Sequence, residues 1–213
     1  MRTLGVVGAG TMGRGIAQLA LQSGLRVVLC DADPAALSRA KAAVGEGLAK
    51  AAAKGKLADA GAALARLDAT AALPDLAACD LVVEAVFEDL AVKRVLFQKL
   101  ERLLPAPVTL ATNTSSLLVS QLAEGMTAPE RLVGLHFFNP PAAMRLVEVV
   151  RHPGTGERAW SDAWDLALEL SRTPVAVKDG PGFLVNRVVR PYYLTAQRLA
   201  GDGAGTITEL DSA

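Results

Sequence analysis

Residues 4–31, LGVVGAGTMGRGIAQLALQSGLRVVLCD, contain the pattern that decides the fold. The short apolar run Leu4-Gly5-Val6-Val7 leads into a glycine cluster, and the apolar residues of 12–23 then recur at helical spacing until a glycine ends the helix. A second apolar run, residues 27–30, ends at Asp31. The order strand, turn, helix, strand within about thirty residues predicts a βαβ unit.

The glycine cluster has the spacing G-x-G-x-x-G, and Asp31 follows its last glycine by 18 residues. Between two predicted strands, this pattern indicates a dinucleotide-binding turn, although a glycine turn without a ligand is the alternative. The first glycine permits a tight turn, the second lets the backbone approach a pyrophosphate, and the third allows the helix to pack closely on the strand. The predicted cofactor contacts at the turn are Gly8, Gly10, Thr11, Met12 and Gly13.

The acidic residue after the second strand selects between the two nicotinamide dinucleotides. The carboxylate of Asp31 would accept a hydrogen bond from the 2′-hydroxyl of the adenosine ribose and would repel a 2′-phosphate. No arginine follows it directly, since the next two residues are Ala32 and Asp33. We therefore predict that the cofactor is NAD rather than NADP.

Composition and charge exclude several functional classes. The 213 residues include 22 basic and 22 acidic side chains, and this balance argues against a dedicated nucleic-acid-binding protein. Two cysteines, Cys30 and Cys79, are too few for a disulfide framework or a four-cysteine zinc site, and we predict no metal site. No window approaches ~18 uninterrupted apolar residues and no signal-peptide pattern is present, so we expect no membrane partner and a cytoplasmic location.

Predicted strands and helices alternate along the rest of the chain. This alternation is typical of an α/β protein with a doubly wound, Rossmann-type, mainly parallel sheet. Gly180-Pro181-Gly182 then precedes one more long helix. The later predicted strands span 81–86, 108–112, 132–135, 146–150 and 174–177, and the predicted helices span 34–54, 57–67, 92–104, 157–171 and 183–200.

One of the two histidines is a candidate general base. His136 lies at the end of a predicted strand, where ligands bind in open parallel sheets, and an imidazole can accept a proton near neutral pH. Glu148 lies within the next apolar strand and needs a partner there, so it could orient the imidazole and stabilise its protonated form. A core histidine with an unrelated glutamate is the alternative. His152, in a His-Pro-Gly loop, is predicted to be a solvated surface residue.

Two further groups of polar residues follow predicted strands. Asn113-Thr114-Ser115-Ser116 could provide hydroxyls to a substrate or cap the next helix. Glu84 and Glu88 precede the helix that contains Lys93. The simpler interpretation is that the glutamates match the helix dipole and that Lys93 lies on a solvated helix face.

These motifs, in this order, resemble the L-3-hydroxyacyl-CoA dehydrogenase family over essentially the whole chain. The stretch Val189-Arg190-Pro191-Tyr192-Tyr193 is most similar to the bacterial members of phenylacetate catabolism. The segments that carry the resemblance are Gly8–Gly13, Glu84–Lys93, Asn113–Ser116, His136–Pro140, Leu146–Val150 and Gly180–Arg187.

The resemblance implies NAD-dependent oxidation of an L-3-hydroxyacyl-CoA to a 3-ketoacyl-CoA, as in fatty acid β-oxidation. It implies that His136 is the general base and Glu148 its partner, that Ser115 bonds the substrate hydroxyl, and that Asn186 holds the thioester side. It also implies that Lys54 meets the CoA phosphates, with a solvated helix face as the alternative, and a serine near it in the family is Gly47 here. The residues implied to contact the nicotinamide half of NAD are Glu88, Lys93, Ser115 and Asn139.

The family resemblance also divides the chain. It implies an NAD-binding domain over residues 1–180, and makes residues 181–213 the start of an all-helical domain that closes the cleft and forms a homodimer in the full-length protein. We therefore expect a fragment, a shortened chain or an interrupted reading frame. One alternative function is a related dehydrogenase of a free hydroxy acid or sugar acid, and another is an NAD-binding fragment with little activity.

Overall fold

In the computed structural model, which describes residues 2–212, eight strands form one sheet in the order β3-β2-β1-β4-β5-β6-β7-β8. Among the described residues the one antiparallel pair is β6 with β7. This confirms the predicted doubly wound, mainly parallel sheet. The strands are β1 (Thr3–Val7), β2 (Arg26–Cys30), β3 (Leu67–Thr70), β4 (Leu81–Glu84), β5 (Thr109–Thr112), β6 (Leu132–Phe137), β7 (Leu146–Arg151) and β8 (Thr173–Lys178).

Helices cover both faces of the sheet, and each face has its own apolar layer. One layer includes Ile16 and Leu48, and the other includes Phe97 and Leu122, all of which are buried. The helices are α1 (Thr11–Gln22), α2 (Pro34–Ala53), α3 (Ala60–Leu64), α4 (Leu90–Leu103), α5 (Val119–Ala123), α6 (Glu157–Glu169), α7 (Val185–Gly201) and α8 (Ile207–Ser212).

The sheet has its switch point at β1, which pairs with β2 on one side and with β4 on the other. Because these strands are parallel, their carboxyl ends and those of β5 and β6 meet at the same edge. In open α/β sheets ligands bind outside this edge, beside the switch point. The fold therefore brings together the loops that contain the predicted site residues.

The region between α2 and β4 differs from the sequence prediction. The helix predicted over 57–67 is limited to α3, and Leu67–Thr70 form the edge strand β3, which was not predicted. Its four residues, LDAT, are too few and too polar to show strand periodicity, and it forms because β2 pairs with it in parallel. The other predicted helices and strands are confirmed with shifts of a few residues at their ends.

Helix α7 packs less closely than the helices of the sheet layers. Every side chain of α7 and α8 is partly or fully exposed, including Tyr192 and Tyr193, whereas Phe183 just before α7 is buried in the apolar layer of the sheet. Pro191 lies inside α7 and cannot donate a backbone hydrogen bond to Arg187. No helix within residues 2–212 is long and apolar enough to cross a membrane.

Candidate active site

The glycine turn between β1 and α1 has the geometry that the motif predicts. Gly8 has a positive φ of 105°, and a Cβ there would lie 2.6 Å from the carbonyl oxygen of Ala85. A Cβ at Gly13 would lie 1.8 Å from the carbonyl oxygen of Gly8, so any side chain would separate the helix from the turn. At Gly10, by contrast, no protein atom lies within 4 Å of a Cβ position. The backbone is therefore open to an outside ligand at the second glycine, beside the amino end of α1.

Asp31 is fixed at the end of β2, next to this turn. Its carboxylate accepts hydrogen bonds from the backbone N–H of Ala9 at 2.7 Å and of Asp33 at 2.9 Å. Asp31 and the first two glycines of the turn, Gly8 and Gly10, line a cleft of about 850 Å³ whose other wall is mostly apolar. A polar rim beside an apolar wall suits the ribose and adenine of a dinucleotide.

His136 and Glu148 form a buried pair across β6 and β7. The two residues are opposite each other in the antiparallel register, and the distance from His136 Nδ1 to Glu148 Oε2 is 2.7 Å. The imidazole is flanked by the rings of Phe138 and Phe183, with centroids 4.5 and 5.8 Å away. Among residues 2–212 no group bonds His136 Nε2, so this nitrogen remains available to a ligand.

The second oxygen of Glu148 holds the start of the last long helix. Glu148 Oε1 accepts the backbone N–H groups of Leu184 at 2.9 Å and Val185 at 2.8 Å. Burial alone raises the pKa of Glu148, but these bonds and the one from His136 outweigh it and bring the pKa below its usual value. Glu148 therefore remains ionised and links the histidine to α7. Sequence reasoning missed this second role of Glu148. The one sequence signal that accompanies it is the glycine-rich segment before α7.

The loop after β5 brings Ser115 to α7 and to Glu88. The side-chain amide of Asn186 donates to the Ser115 carbonyl at 3.3 Å, and the Ser115 N–H donates to Glu88 at 3.1 Å. Glu88 also accepts from the Thr114 hydroxyl and from both N–H and hydroxyl groups of Ser116. The structure thus places three of the predicted site residues in contact through one loop.

Lys93 does not lie on a solvated helix face. Its side chain is 1% exposed, and its ammonium lies 2.7 Å from Glu84 and 3.0 Å from Glu88. The Glu84 carboxylate is fully buried and also accepts from the Thr112 hydroxyl at 2.7 Å and the Val86 N–H at 2.8 Å. The interpretation of Glu84 as a residue that merely matches the helix dipole is wrong in the same way, because Glu84 is the end of β4 and faces inward.

The two glutamates beside Lys93 differ in acidity. Burial outweighs the nearby ammonium at Glu84 and raises the pKa of its carboxyl. At the partly exposed Glu88, burial opposes ionisation, but the hydrogen bond from Thr114 and the charge of Lys93 lower the pKa to about 2. Glu88 is therefore firmly ionised at the rim of the site.

Within residues 2–212, no hydrogen bond or ion pair joins the side chains of Asn139 or Lys54 to these residues. Asn139 is exposed, precedes the cis Pro140 bond, and lines a small cavity of about 170 Å³ with Thr11 and Gln18. Lys54 caps the end of α2 and is exposed. A Cβ at Gly47 would lie 2.1 Å from the Gln18 side-chain oxygen, so a serine there would require Gln18 to move.

The prediction that His152 is a solvated surface residue is wrong. Its side chain is 4% exposed, Nε2 lies 3.2 Å from the Pro129 carbonyl, and Nδ1 accepts the Gly154 N–H at 3.1 Å. Burial lowers the pKa of His152. This histidine therefore serves as a neutral structural residue that closes its own loop.

Comparison with known proteins places the chain in a family. Residues 3–180 match the profile described as 3-hydroxyacyl-CoA dehydrogenase, NAD binding domain. The chain belongs to this family. It is an oxidoreductase of the 3-hydroxyacyl-CoA dehydrogenases, and its cofactor is NAD, as the turn and Asp31 predict.

Several named relatives match this chain over nearly its whole length. It is 40% identical to the mitochondrial hydroxyacyl-coenzyme A dehydrogenase of Homo sapiens, over 98% of this chain and 69% of that protein. It is also 40% identical to the 3-hydroxyadipyl-CoA dehydrogenase of Escherichia coli, over 100% of this chain and 45% of that protein. A crystal structure of (S)-3-hydroxybutyryl-CoA dehydrogenase from Ralstonia eutropha superposes with a TM-score of 0.94 at 37% identity, covering 98% of this chain and 75% of that one.

Proposed function

We propose that the chain oxidises an L-3-hydroxyacyl-CoA to a 3-ketoacyl-CoA, with His136 as the general base. The observation that carries this proposal is the buried His136–Glu148 contact of 2.7 Å at Nδ1, with no hydrogen bond to Nε2 among residues 2–212. With its Nδ1 proton donated to Glu148, the neutral ring accepts the proton of the 3-hydroxyl at Nε2. NAD, when bound, accepts the hydride that leaves carbon 3. Glu148 stabilises the imidazolium that forms.

Ser115 and Asn186 orient the substrate in this proposal. The hydrogen bond of 3.3 Å from the Asn186 side-chain amide to the Ser115 main-chain carbonyl supports this, because it makes the two residues neighbours. The Ser115 hydroxyl donates to the substrate oxygen at carbon 3, where negative charge develops as the proton leaves. Asn186 holds the thioester side, so the reacting carbon faces His136.

The cofactor and CoA contacts follow from the same arrangement. Glu88, Lys93, Ser115 and Asn139 are the proposed contacts of the nicotinamide half, and Lys93 supports this region through its 3.0 Å ion pair with Glu88. Thr11 and Met12 meet the pyrophosphate at the first turn of α1. The exposed ammonium of Lys54 binds the CoA phosphates as a point charge.

The named relatives support two kinds of substrate. One carries hydroxybutyryl-CoA in its name, with a short neutral acyl chain, and another hydroxyadipyl-CoA, with a chain that ends in a carboxylate. A role in β-oxidation accords with the first kind, and a role in phenylacetate catabolism accords with the second. We place the reaction in the cytoplasm, as a proposal from the sequence.

We also propose that residues 1–180 are the NAD-binding domain and that residues 181–213 belong to a second, helical domain. The exposed side chains of α7 and α8 support this division. The apolar side chains exposed on α7, such as Val188 and Leu194, suit an interface in a homodimer. The homodimer is proposed for the full-length protein, and sedimentation of that protein at several concentrations tests it; a monomer at all concentrations would contradict it.

Comparing a thioester with its free acid tests the proposed function. NADH formation is followed with NAD and either L-3-hydroxybutyryl-CoA or L-3-hydroxybutyrate, while NAD binding is measured in parallel by calorimetry. We expect turnover of the thioester only. Equal or faster turnover of the acid would assign the chain to dehydrogenases of free hydroxy acids, and NAD binding without turnover of either would support an inactive NAD-binding fragment.

A further inference from the structure

Helix α7 carries an unbalanced positive charge beside the candidate active site. Its sequence, VNRVVRPYYLTAQRLAG, contains three arginines and no acidic residue, although the whole chain has no net charge. Its second residue, Asn186, contacts Ser115 and so fixes which face of the helix looks onto the site. The basic residue on that face is the one that can reach a substrate.

Helical geometry selects Arg190 from the three arginines. Residues four apart lie on the same face of a helix with Cβ atoms about 5–6 Å apart, so Arg190 lies one turn beyond Asn186 on its face. Arg187 is rotated by about 100° from Asn186, and Arg198 lies about 12 Å further along the axis than Arg190. Within residues 2–212 the exposed side chain of Arg190 takes part in no hydrogen bond or ion pair.

We propose that Arg190 binds the terminal carboxylate of an acyl chain, which makes the substrate an L-3-hydroxyacyl-CoA with a carboxylate at its far end. This inference rests on the proposed function, which places carbon 3 between His136 and Ser115. Asn186 holds the thioester side, and in an extended six-carbon chain the terminal carboxylate carbon is five bonds, about 6 Å, beyond the thioester carbon. Four residues at a rise of 1.5 Å each, about 6 Å, separate Asn186 from Arg190 along α7, so the two lengths match.

Arginine is suited to this role. Its planar guanidinium binds a carboxylate through two parallel hydrogen bonds, which a neutral chain end cannot form. The rings of Phe138 and Phe183 flank His136 and form apolar walls, which suit the methylene carbons between the two polar ends of the substrate. Because Arg190 is exposed, we expect its contribution to be modest, about fivefold in affinity.

Two acyl-CoA ligands of equal length test the inference. Adipyl-CoA and hexanoyl-CoA differ at carbon 6, where one has a carboxylate and the other a methyl group, and neither has the 3-hydroxyl that reacts. Calorimetry gives the dissociation constant of each ligand for the 213-residue chain and for Arg190→Met and Arg198→Met. Arg198→Met removes the same charge from the same helix away from the proposed contact, and circular dichroism checks that each variant is folded.

We expect the unsubstituted chain to bind adipyl-CoA about fivefold more tightly than hexanoyl-CoA. Arg190→Met should abolish this preference and Arg198→Met should retain it. Equal affinities in the unsubstituted chain, or equal losses in both variants, would overturn the inference. Because these ligands do not react, failure to oxidise L-3-hydroxybutyryl-CoA would refute the proposed function separately, whereas binding of neither ligand would contradict both.

Discussion

The glycine turn and the His136–Glu148 pair lie at the same edge of one sheet, but they are built differently. The turn consists of backbone from six consecutive residues, and its side-chain partner Asp31 is 22 residues from Ala9. The pair depends on side chains from distant segments: Glu148 bonds Val185, 37 residues away, and Ser115 bonds Asn186, 71 residues away. The turn needs glycines at fixed spacing, whereas each buried charge around the pair needs a partner.

Among the polar groups at this edge of the sheet, the buried cluster of Lys93 with Glu84 and Glu88 should therefore have the largest effect on stability. In Lys93→Met, the carboxylate of Glu84 loses the ammonium at 2.7 Å and stays buried. We expect the free energy of unfolding at pH 7 to fall by about 3–5 kcal/mol, since one partner of a buried pair is removed. Urea denaturation followed by circular dichroism measures the loss.

Lys99 offers a matched control for this experiment. It lies on α4 with Lys93, but its side chain is exposed, so Lys99→Met should change the free energy of unfolding by at most about 0.5 kcal/mol. Similar losses in both variants would mean that the buried ion pair contributes nothing specific.

A smaller effect is expected at Asp31, next to the glycine turn. Asp31→Ala should weaken NAD binding by about tenfold or more, since a hydrogen bond to a charged group contributes roughly 1.5–3 kcal/mol. The substitution should also reduce the preference for NAD over NADP, because the repulsion between the Asp31 carboxylate and a 2′-phosphate is lost. Asp33→Ala is the control: it removes the cap that accepts the Ala35 N–H at 2.8 Å and costs about 1 kcal/mol of stability. An unchanged cofactor preference in Asp31→Ala would place this carboxylate away from the ribose.

The weakest predicted effect is the pH dependence of Glu88. The pKa of its carboxyl is lowered from 4.5 to about 2 in the folded chain, so ionised Glu88 stabilises the fold above pH 4.5. This contribution is lost as the pH falls from 4.5 towards 2, because in that range the carboxyl is protonated in the unfolded state but still ionised in the folded state. The stability difference between the unsubstituted chain and Glu88→Gln should therefore be full at pH 7 and much smaller near pH 2.5.

Urea denaturation at the two pH values measures this difference. Glu46→Gln serves as the control, since Glu46 is exposed and forms no hydrogen bond or ion pair with the described residues. A stability difference for Glu88→Gln that is the same at both pH values would show that Glu88 acts through shape rather than through charge.

The same contrast explains what could be predicted from the sequence. The turn and Asp31 are close in sequence, and each glycine has a steric reason that holds in any such turn, so the motif predicts the NAD site. The paired positions of His136 and Glu148 could be inferred because the two strands are neighbours in the chain. These parts of the site depend on local geometry.

The parts of the fold and of the site that the sequence did not predict depend on contacts between distant segments. Strand β3 exists because β2 provides its hydrogen bonds, and its own four residues do not show it. The position of Lys93 in the helical pattern predicts a surface residue, but its side chain is buried because its ammonium pairs with the carboxylates of Glu84 and Glu88. The loop around His152 closes on the Pro129 carbonyl, which lies 23 residues away. A single sequence does not contain these pairings.

His136→Gln tests most directly the claim that the two halves have separate roles. We expect kcat for L-3-hydroxybutyryl-CoA to fall by ~10²–10⁴-fold, the usual value of a general base. The dissociation constant of NAD, measured by calorimetry on the same variant, should change by no more than about twofold. This limit corresponds to ~0.4 kcal/mol of binding free energy. Near-normal turnover would contradict the role of His136 as the base, and an equal loss of NAD affinity would contradict the separation of the two halves.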